Sequence, residues 1–153
     1  MSASTNSAKS KDSLRLWLSL LKTTREIEKD LREKLRLKYG TSLPRFDVMA
    51  ALDQNRGGIR MSDLASKLMI SNGNITGLVG RMVADQLVER VPVATDGRAM
   101  LVRLTEQGQA LFNRQAKDHE MWIAEKMAIL PDEAPQAMME HLSLLRGMQS
   151  EIQ

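Results

Sequence analysis

The chain has 153 residues, 42% apolar and 27% charged, which suits one domain, or one small domain with helical extensions, under a well-solvated surface. It contains no cysteine, so disulfides, thiolate catalysis and thiol redox sensing are excluded. It has no run of about 18 apolar residues of the kind that crosses a membrane, and its formal net charge of +3 is a weak signal of an anionic partner by itself. The distribution of charge says more. Residues 54–104 hold 7 basic and 4 acidic side chains, whereas residues 105–153 hold 4 basic and 8 acidic. Such asymmetry orients a basic middle toward an anionic polymer, although ordinary surface charge can produce the same counts.

Residues 1–12 are polar and lack an apolar signal core, so a disordered N-terminal arm is expected, not an export signal, and the compartment expected is the cytoplasm. From Ser13 to Tyr39 the stripe Leu14, Trp17, Leu18, Leu21, Ile27, Leu31 and Leu35 predicts a long amphipathic helix. Gly40 stands at its C-cap. Thr41 or Ser42 can cap a second helix with Pro44 in its first turn, running to about Asp53 and burying Phe46, Met49, Ala50 and Leu52. Asn55 to Gly58 is a turn, and Ile59-Arg60 allow a very short strand.

Ser62 to Leu68 predicts a third helix with Ser62 as cap, and Ser71 to about Gln86 a fourth. Ile75, Leu78, Val79 and Met82 of the fourth helix share an apolar face, while Asn72, Gly73, Thr76, Gly77, Gly80 and Arg81 form a small, polar outer face. A backbone so thinly covered can approach a partner closely. Next, Leu87–Val93 and Met100–Leu104 flank Ala94-Thr95-Asp96-Gly97-Arg98, a hairpin signal, and Pro92 keeps this hairpin at a sheet edge. Thr105 can cap a helix to about Leu130, where Pro131 breaks it. Asp132 or Pro135 opens the last helix, carrying Met138, Met139, Leu142, Leu145 and Met148.

The predicted fold is mainly α with a small β-wing: a winged helix-turn-helix domain over residues 41–104, flanked by long helical regions, 13–40 and 105–153. Terminal apolar stripes of this length exceed what one small domain can bury. The expectation is therefore a homodimer through both termini, against the alternative of a compact helical monomer.

The chain resembles the multiple-antibiotic-resistance regulator (MarR) family of winged-helix transcription factors over about residues 13 to 150. The resemblance rests on LPRFDVMAAL (Leu43 to Leu52), on MSDLASKLMISNGNITGLVGRM, and on LVERVPVATDGRAMLVRLTEQG (Leu87 to Gly108). Asp96-Gly97-Arg98 and Arg103-Leu104-Thr105 are its most specific pieces. Two departures stand out. Family members often carry an acidic residue where this chain has Gly80, and a glycine where it has Gln86. The interior glycines Gly77 and Gly80 also cost about 1 kcal/mol each relative to alanine.

The resemblance implies binding to double-stranded DNA, with repression as the default. The Ser71 helix would enter the major groove N-terminus first, with Asn72, Asn74 and Thr76 facing base edges. Ser71 and Ser62 would sit near phosphates, and Arg81 would reach phosphate or base. Arg98 would enter the minor groove from the wing tip, with Asp96, Gly97 and Arg103 shaping the wing. Each also has a plainer role: Asn72 and Asn74 suit the turn and cap, and Arg81 and Arg98 suit a solvated surface.

The resemblance further implies a small-molecule effector, lodged near Trp17, Leu21, Arg25, Arg45, Phe46, Met49, Phe112, Ala116 and His119. The first two helices look most like members that control breakdown of aromatic acids, so the effector expected is an aromatic acid or its coenzyme A thioester. His119 equally suits a satisfied core position, and Arg25 and Arg45 suit solvated or structural charges. No cofactor, metal or membrane partner is expected. An enzyme is disfavoured: His119-Glu120 resembles the start of a zinc-protease helix, but Ile123 holds the second histidine position. A winged-helix protein-interaction module, and a regulator with no small-molecule effector, remain the alternatives.

Overall fold

The computed structural model describes residues 2–93 and 95–147, with the side chains of residues 2–4, 96 and 98 outside that description. The order is α1 (Ser2–Tyr39), α2 (Leu43–Asp53), β1 (Ile59–Arg60), α3 (Met61–Leu68), α4 (Asn72–Ala84), β2 (Val88–Val93), β3 (Asp96–Leu104), α5 (Glu106–Met127) and α6 (Ala134–Leu145). This is the mainly helical winged fold that the sequence predicts. No helix among the described residues is long and apolar enough to cross a membrane.

The chain divides into two compact units within α5, at Ala116/Lys117. In the first, α1 ends as expected: Gly40 takes φ +62° and its N–H donates to the Arg36 carbonyl at 2.9 Å. Ser42 caps α2, its hydroxyl accepting from the Arg45 N–H. The arm expected to be disordered over 1–12 is instead helical from Ser2. No proline or glycine interrupts it, and local pairs such as Ser13 Oγ to the Lys9 carbonyl and Arg15 to Asp12 continue the α1 pattern outward.

The core gathers Leu31 and Leu35 of α1, the Leu43, Phe46, Val48, Met49 and Leu52 face of α2, Leu64 of α3, and Ile75, Val79 and Met82 of α4, with Val88 and Val102 from the sheet. The sheet order is β1-β3-β2, antiparallel throughout, so β2 with Pro92 is an edge strand. The hairpin differs from expectation in one respect. Asp96 already pairs with Val93, so Asp96-Gly97-Arg98 belong to β3, and Thr95 lies in the turn before it. The next pair is Pro92 with Met100, which leaves 97–99 unpaired as a bulge. An edge proline without an N–H suits such a break in the ladder.

In the second unit, α5 ends at Met127, short of the predicted Leu130, and Pro131 precedes α6. No residue of α6 is buried, and Met138, Met139, Leu144 and Leu145 are all exposed. Met148, expected on the same helix, lies outside the described residues.

Candidate nucleic-acid interface

The α4 helix is built to present one face. Ile75, Leu78, Val79 and Met82 are buried, while Asn72, Gly73, Asn74, Thr76, Gly77 and Arg81 are exposed. Ser71 caps it, its Oγ accepting from the Asn74 N–H at 3.3 Å, which satisfies one of the orphan donors of the first turn. The Thr76 hydroxyl donates to the Asn72 carbonyl at 2.7 Å, so its proton is spent and the methyl and the oxygen lone pairs are left for an outside contact. The carboxamides of Asn72 and Asn74 make no hydrogen bond among the described residues. Ser62 does not cap α3. The helix begins one residue earlier, at Met61, with Arg60 in the cap position and no side-chain bond, which leaves Ser62 exposed in the first turn. The extended Arg60 is still in β1, and the chain passes from strand to helix without room for a separate capping residue.

Both ends of α4 turn on non-glycine residues in left-handed conformation. Met69, 94% exposed, closes α3 with φ +53°. Gln86 closes α4 with φ +62°. There the Gln86 N–H donates to the Val83 carbonyl and the Leu87 N–H to the Met82 carbonyl, both at 3.0 Å. This is a Schellman closure with glutamine in the usual glycine position. Three contacts hold this end. Thr105 donates its hydroxyl to the Gln86 carbonyl at 2.7 Å. The Thr105 N–H donates to the Leu87 carbonyl at 3.1 Å. Arg45 of α2 pairs with Asp85 at 2.6 Å.

In the wing, Arg103 stands directly opposite Glu89 and donates to it at 2.6 Å. Gly97 and Arg98 fall in the β3 bulge by backbone position, while the Asp96 and Arg98 side chains lie outside the described residues. One cation on this face escapes a reading of the sequence. Arg90 of β2 is exposed, and its Nη2 lies 3.8 Å from where a Gly80 Cβ would stand. No local pattern marks Arg90, because its approach to Gly80 depends on how β2 leaves α4.

The nine residues expected around an effector differ in their surroundings. Phe46, Met49 and Phe112 are buried, and the two phenylalanine rings pack at 5.6 Å with a 33° tilt. They fill core because α2 and α5 both turn apolar faces inward. Leu21 and Arg25 line a groove of about 380 Å³ along α1. Arg45 borders a different cavity of about 410 Å³, with Arg32, Arg36 and the Gly40–Pro44 turn, and is committed to Asp85. Trp17 is 56% exposed. Ala116 is half-buried, as is His119, whose burial holds its imidazole below the ordinary pKa of 6.5. Elsewhere in α2, burial raises the Asp47 carboxyl, Glu28 raises it further, and Arg32 opposes both.

A capped helix with a bare polar outer face, held at its far end and followed by a wing, defines a winged helix-turn-helix DNA-binding protein. The MarR family model matches residues 39–99. The crystal structure of a MarR family transcriptional regulator from Silicibacter pomeroyi superposes with a TM-score of 0.72 at 32% identity, covering 95% of this chain and 98% of that one. The Bacillus subtilis HTH-type transcriptional regulator YfiV is 31% identical over 109 residues, 71% of this chain and 68% of that protein. The homoprotocatechuate degradative operon repressor of Escherichia coli is 42% identical over 52 residues, 34% of this chain and 35% of that protein. The chain belongs to the MarR family of DNA-binding transcriptional regulators, which are not enzymes.

Proposed function

We propose that this chain is a homodimeric repressor that reads a pseudo-palindromic operator and is released by a small aromatic acid or its coenzyme A thioester. The observation that carries the DNA reading is the two-faced α4: a wholly apolar inner face beneath Asn72, Asn74, Thr76 and Arg81, all exposed. Ser71 and Ser62 lie at the flanking helix starts, and Arg98 enters the adjacent minor groove from the wing. Residues 41–104 read DNA, while 13–40 and 105–153 dimerise. Support for the dimer is the apolar surface on α1 (Leu14, Leu16, Trp17 and Leu18) and the wholly unburied α6. Such surface is costly to leave in water. The protein would act in the cytoplasm, where its DNA is.

The aromatic effector is supported by the kinship with a repressor whose name records homoprotocatechuate degradation. A second reading, a regulator with no small-molecule effector, is favoured by the packing of Phe46, Met49 and Phe112 as core. Calorimetry with benzoyl, coumaroyl and feruloyl thioesters and their free acids separates the two. Heat accompanied by operator release supports the effector; neither with any of the compounds supports the second reading. Footprinting should show two half-sites about one helical turn apart. A single asymmetric half-site refutes the dimeric reader.

A further inference from the structure

Two glycines in the middle of α4 have no packing reason inside the protein. A Cβ on Gly77 would meet only Arg81 Nη1, at 3.6 Å, and a Cβ on Gly80 only Arg90 Nη2, at 3.8 Å, both ordinary contact distances. Each glycine therefore has a guanidinium lying over it, one from α4 itself and one from β2. Neither arginine has an ion pair or side-chain hydrogen bond among the described residues, and both are exposed. The neighbours of Arg90 are differently placed: Glu89 is taken by Arg103 across the hairpin, and Asp85 by Arg45. Because Gly80 has no side chain, no carboxylate stands beside Arg90 on the helix. An unpaired, exposed guanidinium held against the outer face of a groove-entering helix is free to meet a backbone phosphate, and guanidinium is the side chain best matched to phosphate oxygens.

We propose that Arg90 is a phosphate-contacting residue of the DNA interface, reaching across Gly80 from the wing strand, so that β2 and α4 clamp one backbone strand between them. The proposal rests on the DNA reading given above.

The test uses the full chain and a fluorescently labelled 30-base-pair duplex of mixed sequence, titrated by anisotropy between 50 and 200 mM KCl. Neutralising one phosphate contributes about 0.9 to the slope of log affinity against log salt, equivalent to roughly fivefold in affinity at 0.15 M salt. Arg90→Ala should lower the slope by about one unit per protomer bound, and Arg90→Lys should keep it. Lys11→Ala removes one positive charge from an exposed position about 36 Å along α1 from Leu35 and should leave the slope unchanged. Thermal unfolding of each variant checks that it is folded. An unchanged slope for Arg90→Ala, with or without weaker binding, overturns the proposal, because a merely structural role does not alter the number of counterions released. An equal loss of slope in Lys11→Ala also overturns it. If the unaltered chain fails to bind the duplex at any salt, the DNA reading itself has failed, and the two failures are distinct.

Discussion

Replacing Gln86 by glycine should stabilise this protein. The left-handed conformation at φ +62° places a Cβ too close to the following carbonyl oxygen, at a cost of roughly 1–2 kcal/mol for a non-glycine residue. Glycine removes that strain but gives back about 0.5–1 kcal/mol through the greater freedom of the unfolded chain. Nothing else is lost. The Gln86 side chain is exposed, and the bonds that matter here belong to its backbone: the N–H to Val83 and the carbonyl accepting from Thr105. The net gain should be about 0.5–1 kcal/mol, worth roughly 1–4 °C in a chain of this size. Circular dichroism melts at fixed protein concentration, and urea midpoints at unchanged m-value, measure it; fixed concentration matters because self-association shifts apparent stability. Gln86→Ala keeps the Cβ and should stay within about 0.5 kcal/mol of the parent. A Gln86→Gly variant that melts at or below the parent temperature, or an alanine variant that gains as much, refutes the strain argument.

Gly108 makes the opposite case: an added Cβ would fall on the Leu87 carbonyl oxygen and within 2.8 Å of the Leu87 carbonyl carbon. Gly108→Ala should cost about 2–3 kcal/mol, read as a lower urea midpoint. Thr105→Ala removes the hydroxyl that accepts from the Gly108 N–H at 2.9 Å and donates to the Gln86 carbonyl. It should cost about 1–2 kcal/mol, and a loss under a few tenths refutes the double role. The Arg45–Asp85 pair is half solvated, so a double-mutant cycle with Arg45→Met and Asp85→Asn should give a coupling of only about 0.5–1 kcal/mol. His119 favours its neutral form in the fold. Its contribution is therefore complete above pH 6.5 and falls away as pH drops toward its lowered folded pKa. His119→Gln should flatten that part of the stability-pH curve, and an unchanged curve removes the assignment.

Much of this fold is legible because local chemistry and long-range packing agree. Gly40, Ser42 with Pro44, Ser71 and Thr105 are chemical signals, and each marks a helix end where it was expected. The wing was legible from Pro92 and the hairpin chemistry, but not its register. Asp96-Gly97 looks like a turn apex, yet the pairing of Asp96 with Val93 draws both residues into β3 and moves the irregularity to 97–99. Ser62 misled for a related reason, since a serine near a helix start does not cap when the preceding strand runs directly into the first turn. Met69 is invisible as a left-handed residue because it is not a glycine, whereas Gln86 stands where the resemblance places one. Apolar spacing identifies an inward face without saying whether that face meets a void or another side chain. Phe46 and Phe112 meet each other.

The left-handed residues Met69 and Gln86 lie just before and just after α4, and its C-terminal end has a mechanical role. Its C-terminal end is tied by backbone and side chain to two other parts of the chain: Asp85 to α2 through Arg45, and both Gln86 and Leu87 to Thr105 at the start of α5, where Gly108 leaves room for the Leu87 carbonyl. On its outer face, by contrast, Gly77 and Gly80 are met among the described residues by the guanidinium groups of Arg81 and Arg90. A displacement of α2 or of the start of α5 therefore reaches the exposed side chains of α4 through the C-terminal anchor. On this view Gln86 and Gly108 act at the same joint with opposite sign, one storing strain and the other preventing it. Gln86→Gly and Gly108→Ala should thus be non-additive in combination. If their stability effects instead sum to within about 0.3 kcal/mol, as independent sites do, the joint is not one mechanical unit.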